Sequence, residues 1–251
     1  MKYLETAKVL QKEELNDNTY KLFIDSNKIA KNASPGQFVM VYLDNMLPRP
    51  ISIFDAEKST FGIVFKALGT GTKAMAKLAE GDNIKLLGPI GNGFPKPDVK
   101  RVAIVGGGLG TPPLHFLAKH LTKQRIKVDC YLGFRDKPIL KKDFLELNVK
   151  VYISTDSGKK GHYKGNVIDL MREKDKQYGT IYACGPKQML AELKSYAKEI
   201  KTPAYLSLEE RMACGMGTCV GCVVKTEHGI YEKICTDGPV FPSQYVEVAN
   251  V

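Results

Sequence analysis

Residues 102–113 read Val102-Ala103-Ile104-Val105-Gly106-Gly107-Gly108-Leu109-Gly110-Thr111-Pro112-Pro113. The first four are apolar and mostly β-branched, the composition of a parallel strand buried on both faces. Glycines follow at once. A threonine and two prolines come next, and proline suits the first turn of a helix, where its missing N–H is no loss. Leu114, Leu117, Ala118 and Leu121 then fall on one helical face. Strand, glycine turn and helix start make a phosphate-binding layout, because small residues let the backbone approach an anion and the helix N-terminus favours negative charge. Gly106-x-Gly108-x-x-Thr111 lacks the third glycine of the full dinucleotide fingerprint. A purely structural turn between strand and helix is the competing reading.

Further α/β units follow this one. Lys127–Leu132, Val149–Ser154 and Thr180–Cys184 read as strands, the last ending in Gly185-Pro186. Met189, Leu190, Leu193, Tyr196, Ala197 and Ile200 trace the apolar face of a helix. Alternating strands and helices predict a parallel sheet with right-handed crossovers, whose ligands bind beyond the C-terminal strand ends. Gly106, Gly108, Gly110, Arg135, Asp156, Cys184 and Gly185 lie near those ends. This unit is expected to span residues 98–203.

Residues 1–97 have a different texture. Ala7–Leu10, Thr19–Ile24, Gln37–Tyr42, Arg49–Phe54, Phe61–Ala67 and Asn83–Leu87 are short strand candidates between turns, and six at this spacing predict a small antiparallel barrel. Thr72–Leu78 reads as one short helix. Gly88 to Pro97, dense in glycine and proline, reads as the linker.

Residues 204–251 hold four of the six cysteines, Cys214, Cys219, Cys222 and Cys235, in the spacing C-x4-C-x2-C-x12-C. The first three match the plant-type spacing for a [2Fe–2S] cluster. Gly215, Gly217 and Gly221 separate the thiols, as a loop wrapping an inorganic core and aiming N–H groups at its sulfurs requires. Structural zinc would favour paired C-x2-C knuckles, and only one such pair is present. Disulfides are disfavoured without an export signal. Cys130 and Cys184 stand alone and read as buried structural cysteines.

Composition narrows the function classes. The 251 residues are 43% hydrophobic and 25% charged, ordinary globular usage that excludes bulk disorder. No apolar run reaches the length of a membrane helix, and Met1-Lys2-Tyr3-Leu4-Glu5 lacks a signal-peptide layout, so a soluble cytoplasmic protein is expected. The net charge of +10 concentrates in residues 98–203. No recognition helix, zinc-finger spacing or RNA-binding aromatic motif accompanies it, so a solvated lysine-rich surface is preferred over nucleic-acid binding.

Arg49-Pro50-Ile51-Ser52 resembles the R-x-[YFP]-S flavin motif of the ferredoxin reductase-like family, and Lys66-Ala67-Leu68-Gly69-Thr70-Gly71-Thr72 resembles its second flavin segment. Gly106–Pro112 and Cys184-Gly185-Pro186 resemble its nicotinamide-nucleotide motifs. Ser207-Leu208-Glu209-Glu210-Arg211-Met212-Ala213-Cys214-Gly215, running on to Cys222, is similar to the branch formed by the electron-transfer subunits of NAD-dependent (class B) dihydroorotate dehydrogenases. The resemblance covers essentially the whole chain and is most specific at the cysteines.

It implies an FAD-binding barrel, an NAD-binding domain and a C-terminal [2Fe–2S] segment held by Cys214, Cys219, Cys222 and Cys235. By resemblance Arg49, with Pro50 and Ile51 beside it, holds the FAD pyrophosphate, a task suited to a planar multi-donor cation. Ser52 hydrogen-bonds near the flavin's reactive edge. Lys66, Ala67 and Leu68 border the flavin, and Gly71 and Thr72 offer backbone and hydroxyl donors to its phosphate. Cys184 lies near the nicotinamide, or is simply a packing residue at a strand end. Arg135 suits a 2′-phosphate, but the resemblance points to NAD rather than NADP. The implied partner is an FMN-containing subunit that oxidises dihydroorotate to orotate in pyrimidine biosynthesis, in a heterotetramer of two subunits of each kind.

Electrons would run from the partner's FMN through the cluster and FAD to NAD⁺, the chemistry resting with the cofactors. No amino-acid side chain of this chain is expected to act as nucleophile or base. Two departures from plant-type reductases fit this branch: the flavin motif carries no tyrosine, and the chain ends in the cysteine segment instead of an aromatic lid. Flavin/iron–sulfur subunits of NAD(P)H–ferredoxin oxidoreductases or sulfide dehydrogenases are the alternative. Some of those carry Asp at one cluster position, whereas all four here are Cys.

Overall fold

The computed structural model describes residues 1–16, 18–44, 46–159 and 162–248. Its first part is a closed barrel of six antiparallel strands, β1 (Tyr3–Asn16), β2 (Thr19–Asp25), β3 (Phe38–Tyr42), β4 (Arg49–Glu57), β5 (Thr60–Lys66) and β6 (Asn83–Ile90). They close in the order β1-β2-β5-β4-β3-β6. Two six-residue helices, α1 (Asn27–Asn32) and α2 (Thr70–Met75), join them. The inward set includes Val9, Leu22, Ile24, Val39, Ile53, Ile63 and Leu86, each almost wholly buried. In β1, Ala7 and Val9 face in while Thr6, Lys8 and Leu10 face water, the period-two alternation that sets strand register.

The linker expectation is corrected at its start. β6 runs on through Gly88-Pro89 to Ile90. Gly88 pairs with Tyr3, and a Cβ there would stand 2.6 Å from Val39 Cγ1. The glycine serves close packing inside a strand, which composition alone cannot separate from a turn.

The second part alternates β7 (Arg101–Gly107), α3 (Thr111–Lys123), β8 (Lys127–Phe134), α4 (Lys141–Glu146), β9 (Lys150–Thr155), β10 (Tyr163–Lys164), α5 (Val167–Lys174), β11 (Thr180–Cys184), α6 (Lys187–Glu199) and β12 (Ala204–Ser207). The expected parallel sheet is present, and β7 and β11 lie side by side within it. Val102, Ala103, Ile104 and Val105 have no exposed surface, as their uniform apolarity requires.

The sheet continues past residue 203. β12 pairs parallel with β11, and β15 (Val240–Pro242), following a small hairpin of β13 (Val223–Lys225) and β14 (Tyr231–Lys233), pairs antiparallel with β12 at the edge. The cysteine segment is thereby stitched to the nucleotide sheet. It also meets the barrel, where Gly215 lies against Met40. One continuous core joins Met40 and Ile90 of the barrel, Val105 and Leu206 of the sheet, and Cys222, Ile234 and Cys235.

Candidate functional site

The C-terminal ends of β7, β11 and β12 open towards the mouth of the barrel. A cavity of about 590 Å³ lies between them, lined by Phe38, Pro50 and Ser52 from β3 and β4, Cys184 and Gly185 from the end of β11, and Ser207 from β12. Pro50 and Ser52 alternate with Arg49 and Ile51 along the half-buried β4, so the four residues present two faces. Burial pushes the Cys184 thiol up to about 12, with the Ser207 hydroxyl partly offsetting it, so the thiol stays protonated at neutral pH. Ser207, Glu209 and Arg211 line the cavity without having been singled out as site residues. The signal was the Ser207–Arg211 stretch itself, which sequence reading used only for family likeness.

Arg49 ends beside the loop that opens α2. A Cβ on Gly71 would fall 2.4 Å from Arg49 Nε, so only glycine lets the guanidinium settle there. Arg49 has no carboxylate partner among the described residues. An unpaired planar cation over the first turn of a helix, whose leading N–H groups lack intrahelical acceptors, is a fitting cradle for a diphosphate. The Thr72 hydroxyl accepts N–H groups from Leu68 and Gly69 at 3.0 and 3.2 Å and directs its proton to Gly69 O. It braces the loop.

An adjoining groove of about 890 Å³ runs from the barrel rim across the sheet, bounded by Lys66, Leu68, Gly108, Arg135, Asp156 and Asn166 among others. Ala67 anchors this rim through its N–H to Asn18 O at 2.8 Å. The glycines of the turn divide the work. Gly106 is buried beneath it. Gly110 is pressed on the Cys184 carbonyl, where a Cβ would come within 2.2 Å. Gly108 has φ +52° and nothing within 4 Å of its Cβ position, the open backbone that a phosphate needs. Thr111 Oγ1, at the start of α3, is buried without a hydrogen-bond partner among the described residues. Arg135 and Asp156 share this groove, joined by an Asp156 N–H to Arg135 O bond of 3.2 Å.

The cysteine loop brings its thiols together as two pairs. Cys214 and Cys219 lie in mutual reach, as do Cys222 and Cys235. Among the described residues no three His, Cys, Asp or Glu side chains converge on one point. Two pairs match the donor set of a two-iron cluster, in which four thiolates are shared between two irons. Backbone N–H groups of Met216 and Cys219 reach Cys214 Sγ at 3.4 Å. The Met216 N–H is the main reason this thiol is pulled down to about 6, favouring the thiolate a metal requires. Burial pushes the Cys235 thiol up to about 11. Gly215 and Gly217 take the expected positive φ values of +65° and +89°, but the third such residue here is Val220 at +54°, not Gly221. Cys219 is exposed while Cys222 and Cys235 are buried, so one edge of the loop faces water. Cys130 is fully buried within β8, as expected.

This is the ferredoxin reductase-like fold with an iron–sulfur segment, and the class is that of flavin- and nicotinamide-dependent iron–sulfur oxidoreductases. Residues 209–247 match the family model described as the iron-sulfur cluster binding domain of dihydroorotate dehydrogenase B. The chain is 38% identical to the electron transfer subunit of dihydroorotate dehydrogenase B (NAD(+)) from Lysinibacillus sphaericus, covering 95% of this chain and 96% of that one. It is 39% identical to the protein of that name from Clostridium perfringens, covering 98% and 99%. The chain belongs to this family of electron transfer subunits. A solved structure of an NADH-dependent reduced ferredoxin-NADP oxidoreductase, studied for flavin-based electron bifurcation, superposes with a TM-score of 0.89 at 28% identity, covering 96% of this chain and 90% of that one. Family and fold together support a [2Fe–2S] cluster, FAD and NAD as the cofactors.

Proposed function

We propose that this chain serves an FMN-containing catalytic subunit that oxidises dihydroorotate, receiving its electrons and delivering them to NAD⁺. The observation that carries the reading is the joining of the cysteine loop to both other parts in one core, so that thiol pairs, flavin cradle and nucleotide turn belong to one body. When bound, FAD exchanges both electron pairs and single electrons, which a nicotinamide and an iron–sulfur cluster handle separately.

The chain's residues bind and orient. Arg49 neutralises the FAD diphosphate, with N–H donors from the Gly71–Thr72 turn. Pro50, Ile51 and Ser52 place the flavin's edge at the cavity, and Lys66, Ala67 and Leu68 form its rim. Gly106, Gly108 and Gly110 let the NAD diphosphate approach α3, and the protonated Cys184 with Gly185 forms a compact neutral wall for the nicotinamide. Cys214, Cys219, Cys222 and Cys235 hold the cluster, and the exposed edge at Cys219 suits delivery from a partner. Two copies of each subunit and a cytoplasmic setting complete the proposal. The 38–39% identities favour this over a ferredoxin–NADP oxidoreductase role, for which the structural likeness comes with 28% identity.

The test is anaerobic. The chain is purified alone and with the co-expressed FMN subunit, and flavin and cluster absorbance are followed after adding NADH or dihydroorotate. NADH should bleach the chain alone, and dihydroorotate only the complex. Failure of dihydroorotate to reduce a verified complex contradicts the proposal.

A further inference from the structure

Thr236 follows Cys235 and packs across the loop against Gly217, which lies between Cys214 and Cys219. A Cβ on Gly217 would stand 2.7 Å from Thr236 Cγ2 and 3.7 Å from its Oγ1. The Gly217 N–H also reaches the Cys235 thiol. Thr236 therefore touches both arms of the loop that carries the four cysteines. Its backbone is fixed from two sides, by the Thr236 N–H to Lys233 O at 3.3 Å and by Asn92 Nδ2 donating to Thr236 O at 3.0 Å. Its hydroxyl oxygen is buried and has no hydrogen-bond partner among the described residues. Asp237 is near enough to be steadied by that hydroxyl, but no bond between them reaches hydrogen-bonding geometry, and its Oδ2 accepts the Lys233 N–H at 2.8 Å.

A buried hydroxyl left without a partner is destabilising, and native proteins rarely leave one without a reason. We infer that Thr236 is a positioning and tuning residue whose hydroxyl donates to a sulfur of the bound cluster, raising the cluster's reduction potential. The inference rests on the cluster reading above. Reduction adds negative charge to the cluster, and a hydrogen bond to sulfur stabilises the reduced state more than the oxidised one. The side chain thus acts on the electron carrier without touching either nucleotide.

Thr236→Val keeps the shape and removes the donor, and Thr236→Ser restores it. Iron and sulfide content is measured first in the anaerobically purified protein, followed by an EPR-monitored redox titration of the cluster. Thr236→Val should retain the cluster but lower its reduced-to-oxidised ratio at a fixed potential by about tenfold, which for a one-electron couple is about 59 mV. Thr236→Ser should stay close to the parent. A potential unchanged in Thr236→Val overturns the inference and leaves the cluster reading standing. Absence of iron and sulfide from the parent protein overturns both. Should Thr236→Val fail to load, the titration of Thr236→Ala against Thr236→Ser decides, and equal potentials in those two refute the hydroxyl's role.

Discussion

Arg49 and Gly71 show how two residues with no individual signal come to pack against one another. Neither is notable by type. Arg49 was legible only through the motif around it, and Gly71 only as part of a glycine–threonine run. The structure supplies the reason, since the space above Gly71 Cα is filled by the guanidinium. Arg49→Ala should weaken FAD retention ~10–100-fold, the cost of about 1.5–3 kcal/mol for lost hydrogen bonds to a charged group. Gly71→Ala should lower the flavin-to-protein ratio in the same direction by displacing the side chain. Flavin absorbance after gel filtration reads both, and full occupancy in Gly71→Ala would contradict the packing argument. The Thr72 hydroxyl is engaged in its own turn, a local arrangement that its residue type does not reveal.

Among the elements, the six barrel strands and β7, β8, β9 and β11 of the nucleotide sheet were readable because burial writes itself into apolar periodicity. Thr180–Cys184 was placed to the residue, and β1 was underestimated because only Ala7 and Val9 of its fourteen residues are buried, while Leu4 and Leu10 lie exposed and break the alternation. The six-residue α4 lacks a capping side chain, buries only Phe144 and was invisible in the sequence. α3 carries a further element-scale feature. Its His115 is buried against Phe54 of β4, with ring centroids 4.4 Å apart, and packs edge-on to Phe144 of α4. Burial lowers the His115 pKa from its ordinary 6.5, against the pull of Asp55 and Asp143. Above that pH both folded and unfolded imidazoles are neutral. As pH falls below it, the unfolded chain takes up a proton that the folded one resists, and stability is lost until the lowered folded pKa is reached. The drop in Tm from pH 7.5 to 5.5 should be smaller in His115→Phe than in the parent, and equal drops would refute the assignment.

On the scale of the whole molecule, the joints between the parts were not legible in the sequence. Residues 204–207 and 240–242 look like a preface and a tail to the cysteine motif, yet they form the last strands of the nucleotide sheet. Strands of three or four residues carry almost no periodicity, so only tertiary pairing defines them. Gly215 on Met40 and Asn92 Nδ2 on the Thr236 and Asp237 carbonyls add ties to the barrel. Ligand binding to the native state stabilises whatever unfolds with the site. Anaerobic removal of the cluster should therefore lower the main calorimetric transition of the entire chain. A main transition unmoved by cluster loss would mean that the cysteine segment melts by itself.

The central claim is that one polypeptide holds a flavin and a two-iron cluster in electronic communication with NADH. Its most direct test is an anaerobic NADH titration of the isolated, cofactor-loaded chain, followed by absorbance and EPR. Two electrons for FAD and one for the cluster predict an endpoint near about 1.5 molar equivalents of NADH, with flavin bleaching and a spin-half [2Fe–2S] signal arising together. Flavin bleaching without that signal, or an endpoint of about one equivalent with the cluster still oxidised, would contradict the account.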